Sequence, residues 1–249
     1  MVQMNATDRG VEGTAMQTAL ITGGSKGFGL ALATDLVKDG WSVVIDGRDR
    51  AVLDAALSSL QPESHGQVVR GIAGDVADPA HRAALVDAVT ELGHLDLLVN
   101  NASTLGPSPL PRLAEYRVHD LERVLAVNLV APLALVQATL PLLRASHGIV
   151  VDITSDAAVE GYAGWGGYGS SKAALEQLSN VLAAEETDVS VYWFDPGDMR
   201  TEMHQAAFPG EDISDRPLPE TVVPAFRRLL STAPASGRFR ASDLQQTVP

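Results

Sequence analysis

The sequence predicts an α/β fold in which helices cover both faces of a parallel sheet. Two observations indicate this fold: short apolar runs alternate with segments of helical periodicity, and no two runs are joined by a hairpin turn. Alternation of this kind is typical of βαβ units, which assemble into parallel sheets. Because the composition does not change along the chain, we expect one doubly wound domain over residues 18–249, after a loose tail at residues 1–17.

Seven strands are expected, each a short apolar run bounded by polar or glycine residues. Their predicted ranges are 18–22, 41–46, 67–72, 95–99, 148–153, 189–194 and 238–241. The helices between them include one that begins at Pro79, a favoured early position for proline, and a long one over residues 118–144. A polar, proline-rich segment at about residues 198–219 has no regular pattern. It is predicted as a substrate-loop insertion, either a lid or a disordered segment.

The formal charge of the chain restricts its partners. A total of 18 basic and 31 acidic side chains gives a net charge of −13, whereas nucleic acids and anionic membranes are bound by basic surfaces. The chain has no cysteine, which excludes disulfides and thiolate metal sites and fits the reducing cytoplasm. The histidines show no metal-ligand spacing, so we predict no metal. We expect a cytoplasmic protein with a small-molecule substrate.

One uncharged run, at residues 124–143, is long enough to be mistaken for a membrane span. It contains Asn128, Gln137, Pro132 and Pro141, and polar side chains inside a bilayer are costly. We therefore interpret the run as a helix that is buried in the fold or lies at a subunit contact.

A glycine-rich turn between the first strand and the first helix indicates a nucleotide site. Gly23, Gly27 and Gly29 stand where a backbone must approach a pyrophosphate closely and where a helix N-terminus attracts its charge. The spacing differs from the plain Gly-x-Gly-x-x-Gly pattern, because three residues separate the first two glycines. A tight strand-to-helix connection without a ligand is the alternative interpretation.

The end of the second strand indicates which nucleotide is bound. NAD-binding proteins usually carry an acidic residue there for the ribose 2′-hydroxyl, whereas this chain has Gly47 and then Arg48. Arg48 and Lys26, which lies in the glycine turn, are two cations that suit a 2′-phosphate. Asp46 is expected to point away from the ribose, because neighbouring strand residues face opposite sides. The prediction is NADP(H).

A second motif brings three reactive side chains together. Tyr168 and Lys172 are four residues apart in a segment with helical periodicity, so they share one helix face. Ser155 ends the preceding strand and can lie beside them. A phenol, an ammonium and a hydroxyl in this arrangement can move a proton at a carbonyl oxygen. Taken singly, each is more often a structural residue, so the interpretation depends on their combination.

The chain resembles the short-chain dehydrogenase/reductase family, because it contains the motifs of that family in the same order. The branch that it resembles is the one with a Tyr-x-x-x-Lys motif. The resemblance covers residues 18–240 and implies a Rossmann fold with a seven-stranded sheet. The motifs that match are Thr22-Gly-Gly-Ser-Lys-Gly-Phe-Gly, Asp75-Val76, Asn100-Asn-Ala-Ser, Asn128, Ser155, Tyr168-Gly-Ser-Ser-Lys172 and Pro196-Gly-Asp-Met-Arg-Thr201.

Three features depart from the family pattern. Ser103 stands where the family has glycine, which puts a side chain into the turn after the fourth strand. Asp152 stands where the family often has asparagine, and we interpret it as structural. The C-terminus lacks the common glycine-rich ending, which puts subunit contacts there in doubt.

The resemblance implies NADP(H)-dependent hydride transfer between a carbonyl group and a secondary alcohol. Tyr168 would be the acid–base residue, and Lys172 and the positive nicotinamide ring would together lower its pKa. Lys172 would also bind the nicotinamide ribose, and Ser155 would polarise the substrate oxygen. Asn128 would hold a water that links Lys172 to solvent. The residues expected to bind the cofactor are Gly23, Ser25, Lys26, Gly27, Phe28, Gly29, Arg48, Asp75, Val76, Asn101, Ala102, Ser103, Tyr168, Lys172, Pro196, Gly197, Met199 and Thr201.

Several alternatives stay open at this point. Trp165, Tyr162 and Met203 are expected to line the substrate cleft, but Trp165 and Tyr162 fit packing at a helix entry equally well. Two other functions use the same residues: a cofactor-binding sensor or scaffold without turnover, and a lyase or epimerase that uses the cofactor transiently. Family analogy further implies a homotetramer or homodimer.

Overall fold

The computed structural model describes residues 16–245 and contains a seven-stranded parallel sheet. The predicted α/β Rossmann fold is therefore confirmed. The predicted tail, residues 1–17, lies outside the described residues except for its last two. The strands are β1 (Thr18–Ile21), β2 (Ser42–Gly47), β3 (Val69–Ala73), β4 (Leu97–Asn100), β5 (Ile149–Ile153), β6 (Ser190–Asp195) and β7 (Gly237–Arg240).

The helices alternate with the strands as the sequence predicts. They are α1 (Gly27–Lys38), α2 (Arg50–Leu60), α3 (Pro79–Thr90), α4 (Val118–Leu125), α5 (Ala131–Ser146), α6 (Gly166–Glu185), α7 (Glu202–Ala207), α8 (Val223–Thr232) and α9 (Ala241–Gln245). Two details differ from the prediction. The long helix is interrupted by a π-helical turn, Ala126–Val130, and α7 lies inside the segment that is predicted to have no regular structure.

The strand order is β3-β2-β1-β4-β5-β6-β7, so the direction of winding reverses between β1 and β4. These two strands are neighbours, with Ala19 opposite Leu97, although β2 and β3 lie between them in the chain. At such a switch point the connections leave toward opposite faces, and a crevice opens at the carboxyl ends of the strands. The glycine turn after β1 and Ser155 after β5 both lie at that edge.

Both faces of the sheet are buried, which explains the continuous apolar runs of its strands. Leu20 and Val44 pack with α3 and α5 on one face, while Ile21 and Ile45 pack with α1 and α8 on the other. The alternation follows from the two-residue period of a strand. The two cores hold the carboxyl ends of the strands in fixed relative positions, and the site is built on those ends.

Residues 118–146 form the one helical stretch of the described chain that is long and apolar enough to cross a membrane. Its inward side chains Leu135, Val136 and Leu143 are buried in the core beneath the sheet. At the π-helical turn, Asn128 is fully buried and hydrogen-bonded within the fold. These are the features of a core helix in a globular protein, as the sequence predicts.

Candidate active site

One cleft of about 550 Å³ lies at the carboxyl ends of the strands. Of the residues predicted to bind the cofactor, those that line it are Gly23, Ser25, Lys26, Gly27, Phe28, Arg48, Asp75, Val76, Asn101, Ala102, Ser103, Tyr168, Lys172, Pro196, Gly197, Met199 and Thr201. Ser155, Trp165 and Met203 line the same cleft. The structure thus brings most of the predicted site together.

Three predicted residues do not line the cleft. Gly29 lies behind the glycine turn, where a Cβ atom would stand 2.5 Å from the Gly23 carbonyl oxygen. Asn128 is fully buried behind the cleft wall. Tyr162 is 46% exposed, and its hydroxyl donates to the Asp156 carboxylate at 3.0 Å. Tyr162 therefore does not line the cleft in this structure.

The glycine turn is held by a reciprocal set of hydrogen bonds between β1 and β4. The Thr22 hydroxyl oxygen accepts from the backbone N–H groups of Asn101 and Ala102, each at 3.0 Å. The Asn101 side-chain amide in turn donates to the carbonyl oxygens of Thr22 and Gly23, at 2.9 and 3.1 Å. Gly23 has a φ of 64°, which favours glycine because it lies in the left-handed region.

Asp46 supports the turn from the side of β2. One carboxylate oxygen accepts from the Gly23 N–H at 2.5 Å, and the other pairs with His81 Nε2 at 2.8 Å. Asp46 and His81 are both buried, so the carboxylate is fully engaged. Asp46 lines the cleft, but both of its carboxylate oxygens are bonded to the protein itself, and its orientation away from the ribose stays a prediction.

The cations at the far end of the cleft are exposed. Arg48 follows β2 at the surface, and Lys26 forms an ion pair with Glu202 of α7. Asp75 forms an ion pair with Arg123 of α4 and accepts from the Ala77 N–H at 2.9 Å. Lys26 is thus linked to the substrate loop, a contact that the sequence pattern does not predict.

Tyr168 and Lys172 lie on the first turns of α6 and face the cleft from its inner wall. Both side chains are buried, with 8% and 1% of their surface exposed. The Lys172 ammonium donates to the Ile153 carbonyl at 2.7 Å and lies 5.6 Å from the centre of the Tyr168 ring. The glycine-rich start of α6 lets the helix approach the turn after Ser155 closely, since a Cβ at Gly169 would stand 2.6 Å from the Ala157 carbonyl oxygen.

The hydroxyl of Ser155 has two partners within its own turn. It donates to the Asp156 carboxylate at 2.9 Å and accepts from the Ala157 N–H at 3.2 Å. Its position beside the Tyr168 phenol agrees with the predicted grouping of the three side chains. Asp156 therefore competes with any substrate oxygen for the proton of this hydroxyl.

The pKa of Tyr168 is raised in the protein without cofactor. Burial is the largest cause, the hydroxyls of Ser155 and Ser103 oppose it, and the carboxylates of Asp195 and Asp156 add to it. Burial lowers the pKa of Lys172 to about 8, although the Asp152 carboxylate acts in the opposite direction. In the protein alone, the phenol is thus protonated at neutral pH and can donate a proton.

Asn128 lies in the π-helical turn, and π-bulges are frequent at functional sites. Its side-chain oxygen accepts from the Thr104 N–H at 2.9 Å and from the Ser103 hydroxyl at 3.2 Å. Its amide group donates to the Thr104 carbonyl and to Ser171, both at 2.9 Å. These contacts tie the turn after β4 to α6. Among the described hydrogen bonds none joins Asn128 to Lys172, so the relay through water stays a prediction.

Asp152, the last residue but one of β5, lies behind Lys172 and is fully buried. Its carboxylate accepts from the Asn100 amide and from the Ser179 hydroxyl, both at 2.7 Å. Burial raises the pKa of Asp152, and these two hydrogen bonds and Lys172 reduce the shift. Its role is structural and electrostatic, because it partly neutralises the buried ammonium.

The outer wall of the cleft is apolar and partly aromatic. Trp165 packs edge-on against Tyr168 with ring centres 5.7 Å apart, and Phe208 lies 6.0 Å from Trp165. Met203 and Leu105 belong to the same cluster. Neither Leu105 nor Phe208 belongs to a motif, although Phe208 lies in the predicted substrate-loop insertion. Phe208 follows α7, a helix that forms because the Thr201 hydroxyl accepts from the His204 N–H at 3.1 Å.

Comparison with known proteins decides the family. A family model for short chain dehydrogenases matches residues 17–212. The chain belongs to the short-chain dehydrogenase family. Serine 3-dehydrogenase of Agrobacterium fabrum is 37% identical over 189 residues, which are 74% of this dehydrogenase and 73% of the relative. Sepiapterin reductase of Mus musculus is 33% identical over 207 residues, which are 79% of each chain.

A solved structure supports the same assignment. A short chain dehydrogenase from Shigella flexneri, crystallised with NADP, is 30% identical in sequence and superposes with a TM-score of 0.83. The match covers 91% of this dehydrogenase and 97% of that chain. The chain is therefore an oxidoreductase of the short-chain dehydrogenase/reductase family.

Replacement of Asp152 by asparagine should lower the pKa of Lys172 below about 8, because the variant removes the carboxylate that favours the ammonium. The chain has three lysines, Lys26, Lys38 and Lys172, so NMR of ¹³C-labelled lysine side chains can follow the titration directly. Glu185→Gln, an exposed change on α6, is the matched control and should leave the Lys172 titration in place. An unchanged or higher pKa of Lys172 in Asp152→Asn would contradict the assignment.

Proposed function

We propose that this dehydrogenase is an NADP(H)-dependent oxidoreductase that transfers hydride between the nicotinamide and a carbonyl or secondary alcohol substrate. The observation that carries the proposal is the position of buried Tyr168 and Lys172 on the wall of the cleft that also contains the glycine turn. A proton donor and a nucleotide site that share one cleft are the two parts such a reaction requires.

The fit of a nicotinamide cofactor is supported by the backbone of the turn. Gly23 and Gly27 have positive φ values, and α1 begins at Gly27 with its free N–H groups at the cleft. Ser25 lines the cleft beside them. When bound, the cofactor supplies or accepts a hydride.

The choice of NADP(H) over NAD(H) is supported by charge. Arg48 and Lys26 line the cleft at the end of β2 and in the glycine turn, and both are exposed. Of the two acidic residues that flank Arg48 in the chain, Asp46 has both carboxylate oxygens bonded to the protein. Asp49 caps α2, where its carboxylate accepts from two backbone N–H groups of the first turn. The crystallised Shigella flexneri relative with NADP agrees with this choice.

The proton steps follow from the side chains of the cleft. Tyr168 donates its proton to the substrate oxygen during reduction, and the Ser155 hydroxyl donates a hydrogen bond to the same oxygen. The raised pKa of Tyr168 keeps the phenol protonated in the protein without cofactor, which is the form that donates a proton during reduction. Lys172 places a positive charge beside the phenolate that forms. A water that returns the proton from solvent is proposed at the backbone of Asn128, because its side-chain amide is fully bonded to other groups of the protein.

The substrate side of the cleft suggests a preference for apolar groups. Trp165, Met203 and Leu105 form a continuous wall that reaches Tyr168. Burial of an apolar substituent against such a wall contributes roughly 25 cal/mol per Å². Substrates that carry an apolar or aromatic group beside the carbonyl are therefore proposed to be better than small polar ones. A screen of ketones with matched polar and apolar substituents tests this preference.

A homodimer or homotetramer in the cytoplasm is also proposed. Val130, Leu133 and Val181 expose apolar surface on the long helices, with 51%, 37% and 44% of each side chain accessible. Association through these helices would remove that surface from water. Light scattering coupled to size-exclusion chromatography would show a monomer if this proposal is wrong.

Replacement of Tyr168 by phenylalanine should reduce kcat for NADPH-dependent ketone reduction by about 10²- to 10⁴-fold, because the general acid is lost. NADPH affinity, measured by fluorescence, should stay unchanged. Tyr162→Phe is the control, since Tyr162 lies outside the cleft. Turnover like that of the wild type in Tyr168→Phe would exclude the proposed role. A protein that binds NADPH but reduces no carbonyl compound would instead favour the sensor.

Replacement of Arg48 by glutamine should lower kcat/KM for NADPH by about 10- to 100-fold, because one charge-assisted hydrogen bond to the 2′-phosphate is lost. The kcat/KM for NADH should stay unchanged, because NADH has no 2′-phosphate. Arg50→Gln is a matched control, because Arg50 is exposed on α2 and pairs with Asp54. If the wild type has a higher kcat/KM with NADH than with NADPH, the cofactor assignment is wrong.

A further inference from the structure

Arg238, in the last strand, joins three elements of the site through one guanidinium group. Its Nε donates to Glu176 at 2.9 Å. One terminal nitrogen donates to the Ser155 carbonyl oxygen at 3.2 Å and to the Asp195 carboxylate at 3.1 Å. The Arg238 side chain is 20% exposed, and those of Glu176 and Asp195 are 13% and 6% exposed. The group is thus largely shielded from water.

Each partner of Arg238 belongs to a segment that the reaction needs. Ser155 is the residue whose hydroxyl faces the substrate oxygen. Asp195 ends β6, and its other carboxylate oxygen accepts from the Gly197 N–H at 3.0 Å, which holds the start of the loop on the nicotinamide side. Glu176 stands one turn after Lys172 and two turns after Tyr168, on the same face of α6.

A fourth hydrogen bond connects the partners of Arg238 to one another. Glu176 also accepts from the Thr154 hydroxyl at 2.7 Å. Thr154 immediately precedes Ser155, so the end of β5 is bonded both to α6 and to Arg238. Removal of the guanidinium would leave the carboxylates of Glu176 and Asp195 without their shared cation and would free the Ser155 carbonyl oxygen.

We propose that Arg238 is a positioning residue that sets the distance between Ser155, Tyr168 and the loop at Gly197 during turnover. The inference depends on the proposed oxidoreductase function, because it concerns the geometry of that reaction. No sequence motif indicates Arg238, which lies 83 residues from Ser155 and 43 from Asp195 in the chain. It acts through these partners and does not line the cleft itself.

The same contact has an electrostatic consequence for Tyr168. The charged and polar groups that act on its phenol are Lys172 beside the ring, Asp195 and Asp156, and the hydroxyls of Ser155 and Ser103. Asp195 raises the pKa of Tyr168. Arg238 partly neutralises Asp195, so its loss should raise that pKa further. Alcohol oxidation requires the phenolate, and its pH profile should therefore move to higher pH.

The test compares Arg238→Gln, which loses the charge, with Arg238→Lys, which keeps it, and with Arg240→Gln, an exposed change on the same strand. In Arg238→Gln, kcat should fall by about 10- to 100-fold, the cost of a small misplacement of reacting groups. The NADPH dissociation constant should change little, and the pH midpoint of oxidation should rise. Arg238→Lys should restore the pH midpoint but only part of kcat, whereas Arg240→Gln should match the wild type.

The outcomes separate this inference from the proposed function. If Arg238→Gln is folded by circular dichroism and has the kcat and pH midpoint of the wild type, the inference is wrong. If Arg238→Gln does not fold, the double change Arg238→Gln with Asp195→Asn removes the more buried of the two carboxylates that lose their cation. A wild-type kcat in that folded double variant would also overturn the inference. Absence of turnover in the wild type itself would overturn the proposed function, and this inference with it.

Discussion

The fold of this dehydrogenase depends on the junction between β1 and β4, where the winding of the sheet reverses. There the Thr22 hydroxyl accepts two hydrogen bonds from the backbone that follows β4. The Asn101 side-chain amide donates two to the backbone that follows β1. Each group would be costly to bury without a partner, so the exchange holds the two strand ends at one separation. The glycine turn and the turn at Ser103 are both anchored to this junction. The nucleotide site and the catalytic wall are therefore coupled through the same backbone.

A second constraint is the burial of charge around α6. The Lys172 ammonium and the Asp152 carboxylate lie in the interior of a chain that is acidic overall, and each is bonded to protein groups. Burial acts on both in the direction that disfavours charge, which is why the pKa of Lys172 falls and that of Asp152 rises. Such groups are expensive to maintain for stability alone and are typical of sites that move protons. The location of α6 against β5 and β6 sets these interactions.

Much of the fold could be predicted from the chain, because the strands are buried on both faces and their apolar runs are continuous. The cofactor turn, Ser155, Tyr168 and Lys172 could be predicted because the spacing of their residues is local. The position of the Tyr162 side chain could not be predicted in this way. Tyr162 lies before the start of α6, so helical periodicity does not say whether its side chain lies in the cleft or in solvent. The pKa of Tyr168 could not be read from the motif: in the protein without cofactor, burial and two nearby carboxylates raise it and outweigh the two neighbouring serine hydroxyls.

The sequence by itself determined the order of the βα units, the turn that approaches a nucleotide and the face of α6 that carries Tyr168 and Lys172. These features depend on the period of helices and strands and on the conformational freedom of glycine. Only the tertiary structure decided that Asp46 is bound to His81, that Asn128 ties two turns together and that Arg238 reaches Ser155. These contacts join residues that are 24 to 83 positions apart. A local sequence pattern cannot predict contacts between residues so far apart in the chain, because these contacts form only when the helices pack on the two faces of the sheet.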